Sequence, residues 1–164
     1  MADRTSTFYA ASTNAIHGYG FELQLGDGAS PEVFESIAAV TLADPGATET
    51  EDIEVTHGRS PNAHREHLAG MRDSGEITFE GVYLPTEDSH ATAGGGSGIF
   101  TSGGLPYINE QRTIHNWRIK YPTSPAVYLE VTGYLKRFQP TGVGVDDAVK
   151  FAGSIMPTQA YTLP

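Results

Sequence analysis

The chain has 164 residues, which fits a single domain and is long enough to bury a sizeable core. It contains no cysteine, which excludes disulfide scaffolds, cysteine nucleophiles and thiolate zinc sites. Its formal net charge of −10 argues against sequence-independent binding to nucleic acid, because such binding relies on Lys and Arg neutralising phosphates.

Alternating apolar and polar residues predict strands along most of the chain. The first covers residues 21–25 and stops at the turn Gly26-Asp27-Gly28, and a largely apolar second strand follows at residues 33–42. Further strands are predicted at residues 76–84, 115–121, 128–138 and 149–156. The fold class that follows is all-β, a β-sandwich or barrel-like domain with one or two short helices and long loops.

Residues 60–71 carry the signals of a short helix instead. Ser60 and Pro61 read as a cap and a first helical residue, and His64, Leu68 and Met71 follow at helical spacing.

Two long loops and an N-terminal arm complete the predicted domain, which spans residues 1–164. Residues 43–56 are polar and acidic, and predict either a long loop or an extended hairpin. Residues 91–109 are predicted as a second long loop, which is flexible and has little to bury over residues 91–104, where it contains six glycines. Residues 1–19 are assigned to the arm. Long loops in a compact domain are usually functional or disordered.

Charge is distributed unevenly along the chain. The first third lacks Lys and Arg between residues 5 and 58, and its candidate inter-subunit carboxylates are Asp44, Glu49, Glu51, Asp52 and Glu54. The last third is mildly basic, and its candidate partner surface comprises Arg112, Arg118, Lys120, Lys136 and Arg137. Two interpretations are open, head-to-tail self-assembly of unlike surfaces or two solvated faces.

No catalytic or metal-binding pattern stands out. His64 and His67 stand three apart with Glu66 between them, but a closed zinc site needs four ligands, and a solvated face is the simpler explanation. The sequence lacks a nucleophile elbow and any evident nucleophile–base pair. We therefore expect neither an enzyme nor a cofactor.

Six segments form an ordered set that is typical of one protein family. They are GFELQLGDGASPEVF at residues 20–34, IAAVT at 37–41, EDIEVT at 51–56, REHLAGMRDSGEITFEG at 65–81, VTGYL at 131–135, and residues 138–156. Together they resemble the major tail tube proteins of long, flexible-tailed (siphovirus-type) bacteriophages, over roughly residues 20–157. The glycine-rich residues 91–109 depart from that pattern by their length.

The resemblance implies a structural virion protein. Its subunits form hexameric rings that stack into a hollow tube, the conduit for DNA ejection into the host. The implied partners are further copies of the chain, a tape measure protein, and tail terminator and distal tail proteins. DNA passes through without specific binding, and no membrane is involved. The implied location is the virion tail, assembled in the host cytoplasm.

Two carboxylates are candidates for the wall of that tube. Glu76 and Glu80 share one face of the strand predicted at residues 76–84. The alternative is that they lie on the outside of the tube or pair with Arg118 or Lys120 on another strand. An acidic wall repels phosphates and lets DNA slide, whereas a basic wall would hold it.

A second class of function stays open, a β-sandwich module that binds carbohydrate or decorates a phage or bacterial surface. Such a site needs exposed aromatic side chains, and the candidates are Tyr107, Trp117 and Tyr128. The strand alternation around Trp117 and Tyr128 favours packing in a core or an interface.

Overall fold

The structure, a computed structural model, describes residues 18–94, 96–161 and 163–164. The predicted N-terminal arm at residues 1–19 therefore lies almost entirely outside the described residues. Within the described ranges, no helix has the length and apolar character that a membrane crossing requires.

Seven strands form one antiparallel sheet, in the order β2-β1-β7-β8-β9-β6-β3, and two more form a separate hairpin. In chain order the strands are β1 (Glu22–Gly26), β2 (Phe34–Ser36), β3 (Val40–Asp44), β4 (Thr48–Glu54), β5 (His67–Ser74), β6 (Ile77–Val82), β7 (Ile114–Tyr121), β8 (Val127–Thr141) and β9 (Lys150–Pro157). The helices are two short 3-10 helices, Pro61–Ala63 and Gly98–Thr101, and α1 (Leu105–Gln111). The predicted all-β fold class is confirmed.

The large sheet curls until its two edge strands are joined by only three residues, 37–39. The Ile37 N–H donates to the Leu23 carbonyl of β1 at 2.8 Å, and the Ala39 carbonyl accepts from the N–H of Val82, the last residue of β6, at 3.0 Å. Because residues 37–39 hydrogen-bond both to β1 and to β6, the sheet encloses its core as a barrel does. The single strand predicted at residues 33–42 is therefore wrong, since the chain turns at Ala39, where φ is 54°, and crosses from one edge to the other.

The predicted alternation places the core residues. The inward-facing side chains of five strands are buried, and they are Leu23, Leu25, Ile77, Phe79, Trp117, Ile119, Leu129, Val131, Leu135, Phe151 and Ile155. A β-bulge in β8, between Leu135 and Arg137, adds one residue to the strand. As a result both Leu135 and Phe138 reach the core.

The helix predicted at residues 60–71 is wrong. One 3-10 turn forms at Pro61–Ala63, and β5 begins at His67. Leu68 lies opposite Ile53 of β4, so pairing with a strand distant in sequence overrides the helical spacing. The prediction of a long loop or an extended hairpin at residues 43–56 is met only in part, because β4 is one strand of a hairpin whose second strand, β5, lies outside that range.

Residues 91–109 bury more than their composition predicts. Phe100, Leu105 and Ile108 join the core, and the Asn109 side chain donates to the Leu135 carbonyl at 3.0 Å. The expectation that residues 91–104 have little to bury is wrong at Phe100, and the end of the predicted loop forms α1, which brings Leu105 and Ile108 into the core.

Candidate assembly surfaces

The β4–β5 hairpin, residues 48–74, extends the β3–β6 pair beyond the barrel. β3 and β6 pair as far as Asp44 and Thr78, and pairing resumes at Thr48 and Ser74. Every residue of β4 is exposed, and β5 has only two half-buried residues. A two-stranded hairpin is marginally stable by itself, so its open faces favour a partner outside the subunit.

One face of this hairpin carries large apolar side chains. Ile53 and Leu68 lie directly opposite each other, and Val55 follows on the same side of β4. A register shift in the pair brings Met71 to this side as well. These four side chains, 40% to 76% exposed, form what we call the hairpin apolar face.

The opposite face of the hairpin is polar and acidic. The Asp52 Oδ2 lies 2.8 Å from the His67 Nδ1, and the Glu54 Oε2 lies 3.6 Å from the Arg65 Nη1. All four groups are substantially exposed, so these contacts are weak and leave the carboxylates open to a partner.

The other predicted acidic residues have different surroundings. By strand alternation Glu49 and Glu51 lie on the side of Ile53, beside the hairpin apolar face. Asp44 instead serves the turn before β4, where its Oδ1 accepts from the Gly46 N–H at 3.0 Å. The five acidic candidates thus divide into four hairpin carboxylates and one turn residue.

The predicted basic surface also divides. Arg118 and Lys120 are engaged within their own subunit, because Arg118 donates to Gln24 at 2.8 Å and Lys120 lies 3.0 Å from Glu22. The hydrogen bond from Ser36, followed by that from Lys120, lowers the pKa of Glu22. These contacts hold Arg118 and Lys120 against β1 of their own sheet.

Arg118 is also held by two aromatic rings. Its guanidinium carbon lies 3.9 Å from the ring centroid of Phe34 and 4.4 Å from that of Tyr128. Such cation–π contacts fix the position of the guanidinium.

The remaining three basic residues stay exposed. Arg112 and Lys136 line one surface groove of about 480 Å³, between α1 and β8, and Arg137 follows Lys136 in the chain. We call Arg112, Lys136 and Arg137 the basic patch.

The two candidate lumen carboxylates differ in their environment. The Glu76 Oε2 lies 2.7 Å from the Lys136 Nζ, and the hydrogen bond from Lys136 lowers the pKa of Glu76. Pairing of these acids with Arg118 or Lys120, the alternative that the sequence allowed, is therefore wrong for Glu76. Glu80 is exposed on β6, and no ion pair joins it to any other described residue.

The histidine candidates do not converge. His67 faces Asp52 and His64 follows the 3-10 turn, and in the part of the chain that the structure describes no three His, Asp or Glu side chains could hold a metal.

The aromatic candidates do not form an open platform either. Trp117 is buried, and its Nε1 donates to the Gly133 carbonyl at 3.0 Å. Tyr107 is half-buried, and Tyr128 stacks on Arg118. The expectation that Trp117 packs in the core is confirmed.

An apolar groove at the seam between β1 and β3 has no counterpart in the sequence predictions. It has a volume of about 470 Å³ and no charged lining residue, and its main side chains are Phe21, Thr41, Leu42, Ile119, Tyr121 and Pro122. We call it the seam groove. The hairpin apolar face was also missed, because Leu68 and Met71 had suggested a helix.

Several solved structures share this fold. A chain from the tail of an empty gene transfer agent (GTA) particle, refined with C6 symmetry, matches with a TM-score of 0.61 and 15% sequence identity. The match covers 92% of this chain and 99% of that chain. A chain from the virion of a native gene transfer agent particle matches at 0.63 and 16%, over 91% and 100%. A chain from the extended PVC sheath–tube complex, an extracellular contractile injection system, matches at 0.60 and 17%, over 94% and 95%.

These similarities establish the fold, and none of the three structures is described as an enzyme. No protein-family model matches the chain, and no curated protein matches its sequence.

Proposed function

We propose that this chain is a structural subunit of a phage-type tail tube. The observation that carries the proposal is the fold, which is shared over more than nine-tenths of the chain with components of a tail, a virion and a sheath–tube complex. The protruding hairpin supports it independently, since its exposed faces fit a chain that is completed by its neighbours.

The proposal includes rings of six subunits that stack into a tube. The C6 symmetry of the GTA tail supports this ring size. Structures with this fold come both from gene transfer agents and from a contractile system. A long flexible tail is therefore a more specific proposal than a tail tube in general. The proposal also includes DNA ejection through the tube, assembly in the host cytoplasm, and contacts with tape measure, terminator and distal tail proteins.

Charge supports contacts between unlike surfaces. The polar face of the hairpin offers Asp52 and Glu54, and the basic patch on another part of the subunit offers Arg112 and Arg137. Contacts between two different surfaces of identical chains close into rings or extend as filaments, according to the rotation between copies. A tube of stacked rings needs both kinds of contact.

Electron microscopy of the purified chain at increasing concentration tests the proposal. We expect rings and hollow tubes of uniform diameter, with six-fold symmetry in end views. A chain that stays monomeric at every concentration and binds glycans on an array would contradict the tube and support the carbohydrate-binding alternative.

A further inference from the structure

The seam groove lies beside a strand edge that carries no partner within the described sheet. β3 pairs with β6 on one side only, and its other side faces the groove through Thr41 and Leu42. The Leu42 side chain is 51% exposed. Free backbone donors and acceptors next to an apolar groove are what an added strand requires, because the edge provides hydrogen bonds and the groove holds alternate side chains.

The hairpin apolar face has the complementary properties. Its side chains Ile53, Val55, Leu68 and Met71 project from two strands whose outer edges are also unpaired in the described sheet. Exposed apolar side chains grouped on one surface of this kind mark an interaction site.

We propose that the seam groove of one copy receives the hairpin apolar face of the next copy, with a hairpin strand added to the free edge of β3. This inference rests on the proposed function and specifies one of its contacts.

The occupant is a second copy because the hairpin does not reach its own groove. The hairpin leaves the barrel as the continuation of β3, and the Gly75 N–H donates to the Ala47 carbonyl at 3.0 Å where it leaves. Folding back onto Leu42 of the same chain would break this pairing. The hairpin of the next copy can reach this groove without breaking that pairing. A contact between two different surfaces then repeats from chain to chain.

The charges of the hairpin fit this arrangement. The groove has no charged lining residue, so it presents no unpaired charge to the apolar side chains that enter it. Asp52 and Glu54 point to the opposite side of the hairpin, where they stay exposed to the basic patch of another neighbour. One hairpin thus has two separate faces for two separate contacts.

Engineered cysteines test the contact directly, because the chain has none of its own. We would prepare Leu42→Cys, Leu68→Cys and Met71→Cys, which are all exposed positions, and confirm folding by thermal unfolding. A short thiol-to-thiol cross-linker is then applied to assembled mixtures. We expect covalent dimers when Leu42→Cys is mixed with either hairpin variant and a ladder when both cysteines are on one chain.

Val145→Cys is the matched control, because Val145 is fully exposed in the segment between β8 and β9. Its mixture with Leu68→Cys should give few dimers. Tubes that form normally but show no Leu42 cross-links above this control would overturn the inference and leave the proposed function standing. Variants that stay monomeric and unlinked, like the wild-type chain, would overturn both.

Discussion

His90 is a fully buried histidine in the segment that follows β6. Its Nδ1 accepts from the Leu84 N–H at 3.0 Å, and its ring centroid lies 4.7 Å from that of Phe151. Burial lowers the pKa of His90, which favours the neutral side chain in the folded protein. Burial also lowers the pKa of His115.

These two histidines predict a pH dependence of stability. Above about pH 6.5 both forms of the protein carry neutral imidazoles, and the free energy of unfolding should not change on their account. Below that pH the unfolded chain binds protons that the folded chain resists, so stability should fall. Urea unfolding of the wild type and of His90→Gln, between about pH 7 and pH 5, measures this slope.

In the His90→Gln variant, the Gln side chain keeps an acceptor for the Leu84 N–H. His115→Gln is the parallel variant at the second histidine. Each substitution should reduce the slope in this range. A slope that is unchanged in the variant with both substitutions would contradict the assignment. Glu22 and Glu76 have lowered carboxyl pKa values, so their effects appear only at more acidic pH.

Glu80 is the residue on which the charge of the tube wall is best tested. Replacing Glu76 would also break its ion pair with Lys136, whereas Glu80→Lys changes an exposed side chain. If β6 faces the lumen, each subunit gains two positive charges along the path of the DNA. Virions should then assemble but eject DNA slowly, with partial recovery at high salt.

Glu130→Lys provides the comparison for this experiment, since Glu130 is exposed on β8 opposite Arg118 of β7. DNA release from purified virions is followed by dye fluorescence. Normal ejection by Glu80→Lys would place β6 away from the lumen, and slow ejection by Glu130→Lys alone would place the β7–β8 surface there.

At the scale of elements, β6 and β9 fit together because glycines leave room for aromatic rings. Gly153 lies opposite Phe79, and a Cβ on Gly153 would collide with the Phe79 ring. Gly81 lies opposite Phe151 in the same way. The two rings meet edge to face, with centroids 6.0 Å apart.

Gly153→Ala should therefore destabilise the subunit by about 1–3 kcal/mol, the usual cost of overpacking a core. Gly144→Ala is the control, since nothing lies closer than 3.7 Å to its added Cβ, and its effect should be within about 0.5 kcal/mol. Chemical denaturation of both variants measures the difference. Equal stability of the two would show that the sheet relaxes around Phe79 without cost.

The hairpin can be shortened without disturbing the barrel. Thr50 pairs with Arg72, so residues 51–71 can be replaced by Asn-Gly, which closes a two-residue turn. The turn at Asp44 and the hydrogen bond from the Tyr161 hydroxyl to the Pro45 carbonyl remain. We expect a folded monomer that unfolds like the wild type and forms no tubes. Normal tubes from this variant would remove the hairpin from assembly.

At the scale of the whole molecule, the core of the barrel is buried within one chain, whereas the faces of the hairpin are not. The link at residues 37–39 joins the two edges of the sheet, and the core is closed by α1 and the segment before it. By contrast, the hairpin has no buried large side chain. Assembly is therefore expected to stabilise the hairpin more than the barrel.

Trypsin should report this difference, because the hairpin contains Arg59, Arg65 and Arg72. Free subunits should be cut there first, and assembled tubes should resist. Mass spectrometry of the early fragments identifies the sites. Equal cleavage of the hairpin in both states would contradict its burial on assembly. Lys150, which is exposed on β9 in the barrel, provides an internal comparison.

Local sequence by itself determined the strands that form most of the barrel and the residues of its core. Alternation is a property of neighbours in the chain, so β1, β6, β7, β8 and β9 were predictable, and so was the buried position of Trp117. It also located the acidic and basic thirds.

Only the tertiary structure decided which charges are free, which segments pair and where the open surfaces lie. Lys120 is neutralised by Glu22, 98 residues away, and residues 67–74 form a strand because β4 lies beside them. The seam groove arises where β1 and β3 approach without pairing. Each of these features depends on contacts between residues distant in the chain, and local periodicity contains no record of such contacts.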